Sequence, residues 1–144
     1  MIAIMSYPSQ LVNTYNYPRN LTVFDIFGVI IWIIGFYFES TSDAQLFRFM
    51  RKPENKGHVM HTGLWKYSRH PNYFGESLMW FGIFFLALSM PYGWTAIITP
   101  VTITFLLVYV TGIPLIENAM KNNPEYQEYK RKTSKFIPWW PKKA

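Results

Sequence analysis

The chain has no cysteine, which excludes disulfides, thiolate catalysis and cysteine-held metal or iron-sulfur centres together. It has no G-x-G-x-x-G turn, no Walker-type phosphate loop and no nucleophile elbow around a serine. Any phosphate-bearing ligand must therefore be held by something other than a glycine-rich loop. Repeats and low-complexity tracts are absent. Met1 to Met5 carries no basic n-region and the apolar start breaks at Tyr7-Pro8, so targeting falls to the first long apolar block rather than to a leader. Acidic residues are scarce, eight against fourteen Lys and Arg, and charge of either sign is missing from long stretches.

Those stretches carry the fold. Leu21 to Phe38 holds one charge, Asp25, in 18 residues; Tyr73 to Met90 holds only Glu76; Trp94 to Ile116 holds none in 23. About 20 apolar residues cover a hydrocarbon layer of about 30 Å, so each block can span a membrane. The expected fold is all-α, a multi-span membrane helical bundle of about three transmembrane helices plus interfacial helices. Pro100 and Pro114 remove backbone donors from the third block and predict kinks packed against neighbouring helices.

Basic residues fix the expected orientation. Arg48, Arg51, Lys52, Lys56, Lys66 and Arg69 lie between the first two blocks; Lys121, Lys130, Arg131, Lys132, Lys135, Lys142 and Lys143 follow the third; only Arg19 is elsewhere. Two crossings separate loop from tail, so both share one side, and the Lys and Arg excess marks that side as cytosolic. Loop 39–72 and the C-terminus are expected there, in the endoplasmic reticulum membrane of a eukaryote or the inner membrane of a bacterium. The basic residues flank spans instead of forming a stripe on a soluble helix, which argues against nucleic acid as the partner of the net charge of +6.

Residues 1–20 read as an N-terminal loop or broken segment, 21–138 as the membrane domain and 139–144 as a basic tail. The first helix is expected to run on to about Met50 and stop at Arg51 to Gly57. His58 to Pro71 reads as an ordered loop or short interfacial helix, and the tail breaks at Asn123-Pro124 before a helix over Glu125 to about Lys132. Three spans are few to enclose an enzyme site, which points to a homo-oligomer or to a missing N-terminal half.

The run Arg69-His70-Pro71-Asn72-Tyr73-Phe74-Gly75-Glu76 leads a polar patch into a span and puts Asn72 and Glu76 on one helix face. A carboxylate inside a spanning helix costs about 3 kcal/mol on insertion scales, so it faces a protein interior or watery cavity. The competing account is a structural hydrogen bond to a neighbouring helix. Glu39 and Asp43 pair in the same way on the first helix, and with Glu117 four carboxylates are expected at similar depth. Their repulsion requires Arg48, Arg51 or Arg69, a donor-rich ligand, or protonation; for Glu39 an ordinary solvated helix end also serves. His58, His61 and His70 lack a convincing ligand spacing, so no metal is expected, and His70 is read as a donor to phosphate or backbone. The Lys130 cluster and Trp139-Trp140 suit an anionic membrane surface, with cofactor phosphate as the other candidate.

Gly63-Leu64-Trp65-Lys66-Tyr67-Ser68, the Arg69 to Glu76 run, the Phe38-Glu39 to Gln45-Leu46 stretch and the close over Tyr126 to Pro138 together resemble the C-terminal half of the steroid 5α-reductase family, in its uncharacterised membrane-protein branch. The resemblance covers about Phe36 to Pro138. It implies a membrane oxidoreductase that uses NADPH to reduce a carbon-carbon double bond conjugated to a carbonyl in a hydrophobic, steroid- or lipid-like substrate entering from the membrane lipid. It further implies that Asp43, Asn72 and Glu76 hydrogen-bond the nicotinamide and its ribose, that Arg51 and Arg69 meet phosphates, and that Tyr73 lines the same pocket; His70, as a donor to phosphate, joins the expected cofactor-binding set. The family's groups that polarise the substrate carbonyl come from N-terminal helices without counterpart in this chain, so no catalytic residue is assigned. The Arg-His-Pro-x-Tyr-x-Gly turn and the Tyr-rich close are also similar to isoprenylcysteine-type and phospholipid methyltransferases, which bind S-adenosylmethionine. Asn72 and the Gly75-Glu76 step favour the reductase. A nonenzymatic membrane scaffold is the third class.

Overall fold

A computed structural model describes residues 2–14 and 20–142; Arg19 and Lys143, part of the charge pattern, lie outside the described residues. Every regular element in the described residues is helical. α1 covers Ile2–Thr14, α2 Val23–Met50 and α3 Pro71–Ala87. A turn of 3-10 helix (Gly93–Ile97) opens a long apolar stretch made of α4 (Ile98–Phe105), a π-helical stretch (Leu106–Val110) and α5 (Ile113–Ala119); α6 covers Pro124–Lys132. Val23–Met50 and Gly93–Ala119 are long and apolar enough to cross a membrane.

α2 starts where Thr22 and Asp25 form a capping box, and Asp25, the single charge of the first block, is thereby consumed: its carboxylate accepts from the Thr22 backbone N–H (2.7 Å), the Thr22 hydroxyl (2.8 Å) and the Ser89 hydroxyl (3.1 Å). At 28 residues α2 is about 42 Å long, so its last turns project beyond a 30 Å layer. Only Asp25, Gly28, Gly35 and Ser42 are buried on it, and Phe24, Phe27, Ile30, Ile33 and Phe36 are among the side chains left exposed, as lipid-facing residues are.

The buried face of α2 explains how α3 returns along it. A Cβ at Gly35 would meet the Gly75 carbonyl oxygen at 2.7 Å, and one at Gly28 would meet that of Gly82 at 2.8 Å. The two helices thus run antiparallel with their backbones in contact, small residue against small residue, which is the packing that gives membrane helices close van der Waals approach. With 17 residues α3 rises about 26 Å, short of a 30 Å apolar layer, and the turn through Leu88 to Tyr92 carries the chain on to the Gly93–Ala119 stretch.

The third stretch is broken where its prolines and glycine dictate. Thr111 donates to the Leu106 carbonyl (2.8 Å), an i to i−5 bond, and the helix restarts at Gly112 so that Pro114 falls in the first turn of α5, where its missing N–H is harmless. Residues 2–14, expected to be a loop or broken segment, form a helix with Pro8 inside it. Leu11 packs with Ala87 and Ala96, Tyr7 Oη lies 2.8 Å from Thr95 Oγ1, and Thr99 Oγ1 donates to the Ile4 carbonyl, so tertiary packing holds this short helix against the far ends of α3 and α4.

At the opposite end the loop after α2 and the tail knit together. Ser68 and Ser134 form a bridge, the Arg69 N–H donates to Ser134 (2.9 Å), the Trp139 N–H to Tyr67 (3.0 Å) and Ser68 Oγ to Phe136 (2.7 Å). Loop and tail therefore occupy one end of the bundle, and most of the basic residues gather there.

Candidate functional site

Two polar clusters meet at the start of α3. The first spans α2 and α3. Because Gly75 allows backbone contact with Glu39, whose N would lie 2.4 Å from a Cβ at position 75, Glu39 and Asp43 come level with Asn72 and Glu76. Asn72 Nδ2 donates to Asp43 Oδ1 (3.1 Å), leaving Asn72 Oδ1 buried with no hydrogen-bond partner. Glu76 accepts from the Trp80 side chain, one turn on, and is close enough to Asp43 and Glu39 for mutual repulsion. None of Glu39, Asp43 and Glu76 has a Lys or Arg ion-pair partner among the described residues.

The second cluster joins α5, α6 and the residues just before α3. Arg69, 6% exposed, donates from Nη2 to Glu117 Oε1 (2.6 Å) and from Nη1 to the carbonyls of Lys130 (2.8 Å) and Thr133 (3.4 Å). Lys130 Nζ reaches the other Glu117 oxygen at 3.0 Å. The guanidinium thus caps the C-terminal end of α6, where the helix dipole favours a cation, and ties it to α5. Tyr129 donates its hydroxyl to the carbonyls of Trp65 and Ser68, and Trp65 Nε1 donates to Ser42 (3.0 Å), fixing α6 to α2 through the loop. Burial raises the Tyr126 hydroxyl to about 12, so it stays protonated.

His70 stands between the clusters. Its ring stacks on Tyr73 (centroids 5.7 Å apart, planes 8° apart), and Tyr73 packs against Gly112 before α5. Nε2 lies 3.8 Å from Glu117 Oε1, beyond a hydrogen bond, and is buried without a partner. Burial, reinforced by Arg69 and Lys135 against the pull of Glu117, brings its pKa from 6.5 to about 4, so the imidazole is neutral at pH 7.

Of the residues singled out from sequence, Asp43, Asn72, Tyr73 and Glu76 are brought together, with His70 adjoining through the Tyr73 stack. Arg69 faces away from the carboxylates and braces Glu117. Arg51 sits at the end of α2 with its guanidinium 5.3 Å over the Phe47 ring and touches neither cluster. Glu117 is offset by Arg69, one of the arginines expected to compensate the four carboxylates, and stands apart from Glu39, Asp43 and Glu76 in its partners. Trp80 was not anticipated, although its place four residues after Glu76 is the signal that would have found it. Among the described residues, none of the five best-formed surface cavities is lined by Asp43, Asn72 or Glu76. One of them, 430 Å³, lies between Phe49 and His58 and is flanked by Arg51, Lys52 and Lys56. No three His, Asp or Glu side chains among the described residues are grouped to hold a metal ion.

A family model described as a protein of unknown function (DUF1295) matches residues 1–133. Steroid 5-alpha-reductase DET2 of Arabidopsis thaliana is 38% identical over 58 residues, which make up 40% of this chain and 22% of the plant protein's length. No solved structure matches the chain.

Proposed function

We propose, for a chain that belongs to the family of unknown function DUF1295, a membrane reductase activity in which NADPH serves the reduction of a carbon-carbon double bond conjugated to a carbonyl in a hydrophobic, steroid-like molecule. The observation that carries this reading is the set Asp43, Asn72 and Glu76: acceptors without a cation, one of them a buried and unpartnered amide oxygen. Arg69 is occupied by Glu117, so of the means of offsetting these carboxylates a donor-rich ligand fits best. A nicotinamide carboxamide and ribose hydroxyls have the complementary donors.

When bound, NADPH supplies a hydride. The chain's own part is to position and to exclude. Asn72 and Glu76 would hold the carboxamide and ribose, Tyr73 and His70 would form the aromatic wall, and the neutral imidazole would add no charge that favours water. Arg51 lies eight residues beyond Asp43, about 12 Å further along α2, and with Lys52 and Lys56 beside the same cavity it would meet the phosphates. The basic end of the bundle faces the cytosol, by the charge rule.

The test is direct binding to the purified full chain by titration calorimetry with NADPH and with S-adenosylmethionine. NADPH should bind, and Glu76→Gln and Asn72→Ala should each weaken it about tenfold to a hundredfold, the value of a hydrogen bond involving a charged or buried group. Methyl-donor binding without NADPH binding would assign a methyltransferase instead, and binding of neither would leave a scaffold.

A further inference from the structure

We infer that the basic cavity beneath Trp139 and Trp140 seats the phosphate of an anionic membrane lipid. The cavity measures 350 Å³ and lies at the C-terminal end of α6, with none of Glu39, Asp43, Asn72 and Glu76 in its lining. Its cations include Arg131, Lys132, Lys135 and Lys142, and no acidic side chain lines it. Arg69, Lys130 and Lys132 on its wall are committed to Glu117 and Glu128, whereas Arg131, Lys135 and Lys142 have no carboxylate within ion-pair distance among the described residues. The site is shaped by backbone bonds: the Lys142 N–H donates to the Lys132 carbonyl (2.9 Å) and closes the tail back onto α6. The buried Arg69 Nε has no partner.

The surroundings point to a lipid rather than a soluble anion. Lys135 Nζ sits 5.8 Å over the ring of Tyr109, which is exposed on the last apolar stretch, so the rim of the cavity adjoins the apolar flank of the bundle. Trp139 and Trp140 are 70% and 74% exposed and Ile137 is 61% exposed on the same strap. Cations beside uncovered tryptophans match the headgroup zone, where the indoles sit among carbonyl and glycerol groups and the ammonium and guanidinium groups meet phosphate. The inference needs only a membrane-spanning chain and does not depend on the reductase reading.

The absence of cysteine makes the test site-specific. A fluorescent label on Ile137→Cys, in the full chain in nanodiscs, is quenched by brominated phosphatidylglycerol or by brominated phosphatidylcholine at equal mole fraction. The anionic lipid should quench at least about fivefold more effectively, the factor matching one basic residue's attraction to an anionic surface. The same label on Trp94→Cys, at the other end of the bundle, should show no preference. Arg131→Gln with Lys135→Gln and Lys142→Gln should bring the ratio to one, while Lys135→Arg with Lys142→Arg should keep it, separating lost attraction from lost fold. Equal quenching by both lipids, or a preference that survives the triple variant, overturns the proposal. So does a preference abolished by excess inorganic phosphate or NADPH, which would assign the cavity to a soluble ligand.

Discussion

His70 shows how much one buried ring can govern. With its pKa lowered to about 4 in the folded chain and near 6.5 when unfolded, the unfolded state takes up a proton first as pH falls. Stability should therefore drop between pH 6.5 and about 4 and change little on either side for this group, by on the order of 3 kcal/mol in all. Thermal unfolding of wild type against His70→Gln across that range isolates the contribution; parallel curves would refute it. Arg69 is the other residue whose loss is sharp. Removing it leaves Glu117 with Lys130 alone and uncaps α6, so Arg69→Gln should cost about 3 kcal/mol, read as a lower unfolding midpoint in detergent. Both effects follow from contacts invisible in sequence. The Arg69 to Glu76 run stands out by its composition, but that Arg69 turns toward α6 while Asn72 turns toward α2 depends on 61 and 29 residues of chain separation respectively.

At the level of the helices, the seam between α2 and α3 makes its own demand. A methyl at position 75 would meet backbone atoms at 2.4 and 2.5 Å, and backbone cannot step aside as a side chain can. Gly75→Ala should force α2 and α3 apart, at about 1 to 3 kcal/mol for an overpacked site, and should weaken cofactor binding with it because Glu39 and Asp43 move off Asn72. Ser77→Ala, two residues along on the other side of α3 and outside the glycine contacts, provides the comparison in the same stability and binding assays. The helices themselves were legible from charge-free length, the end of α2 near Met50 and the start of α6 after Asn123-Pro124 included. The seven-residue spacing of Gly28 with Gly35 and of Gly75 with Gly82 keeps small residues on one face, but only the coordinates show that these two faces meet. The helix at residues 2–14 was not, because Pro8 lowers its local propensity and only contacts with Ala87 and Ala96 sustain it. The π stretch over Leu106–Val110 likewise answers to the restart at Gly112 rather than to any residue of its own.

Across the whole molecule, loop and tail share one end, and that placement is open to labelling. Single cysteines at Lys56 and Lys121 should react with a membrane-impermeant maleimide from one face of sealed vesicles, the cytosolic one by the charge rule, and a cysteine at Trp94 from the other. Reaction of Lys56→Cys and Lys121→Cys from opposite faces would contradict the arrangement. The charge pattern made this end legible, whereas the division of labour within it, a carboxylate cluster free of cations beside a cation cluster locked onto Glu117, was not, since composition gives sign and side but not partners. The knitting of Ser68, Arg69 and Tyr67 to residues 134–139 also has a temporal meaning. During synthesis α2 and α3 can insert while the tail is still inside the ribosome, so the groups before α3 wait unbraced until the last residues emerge. A bulky fusion placed at the extreme C-terminus should thus spare insertion and yet slow the final locking of this end, leaving a population that is in the bilayer but open to protease at the 58–70 loop.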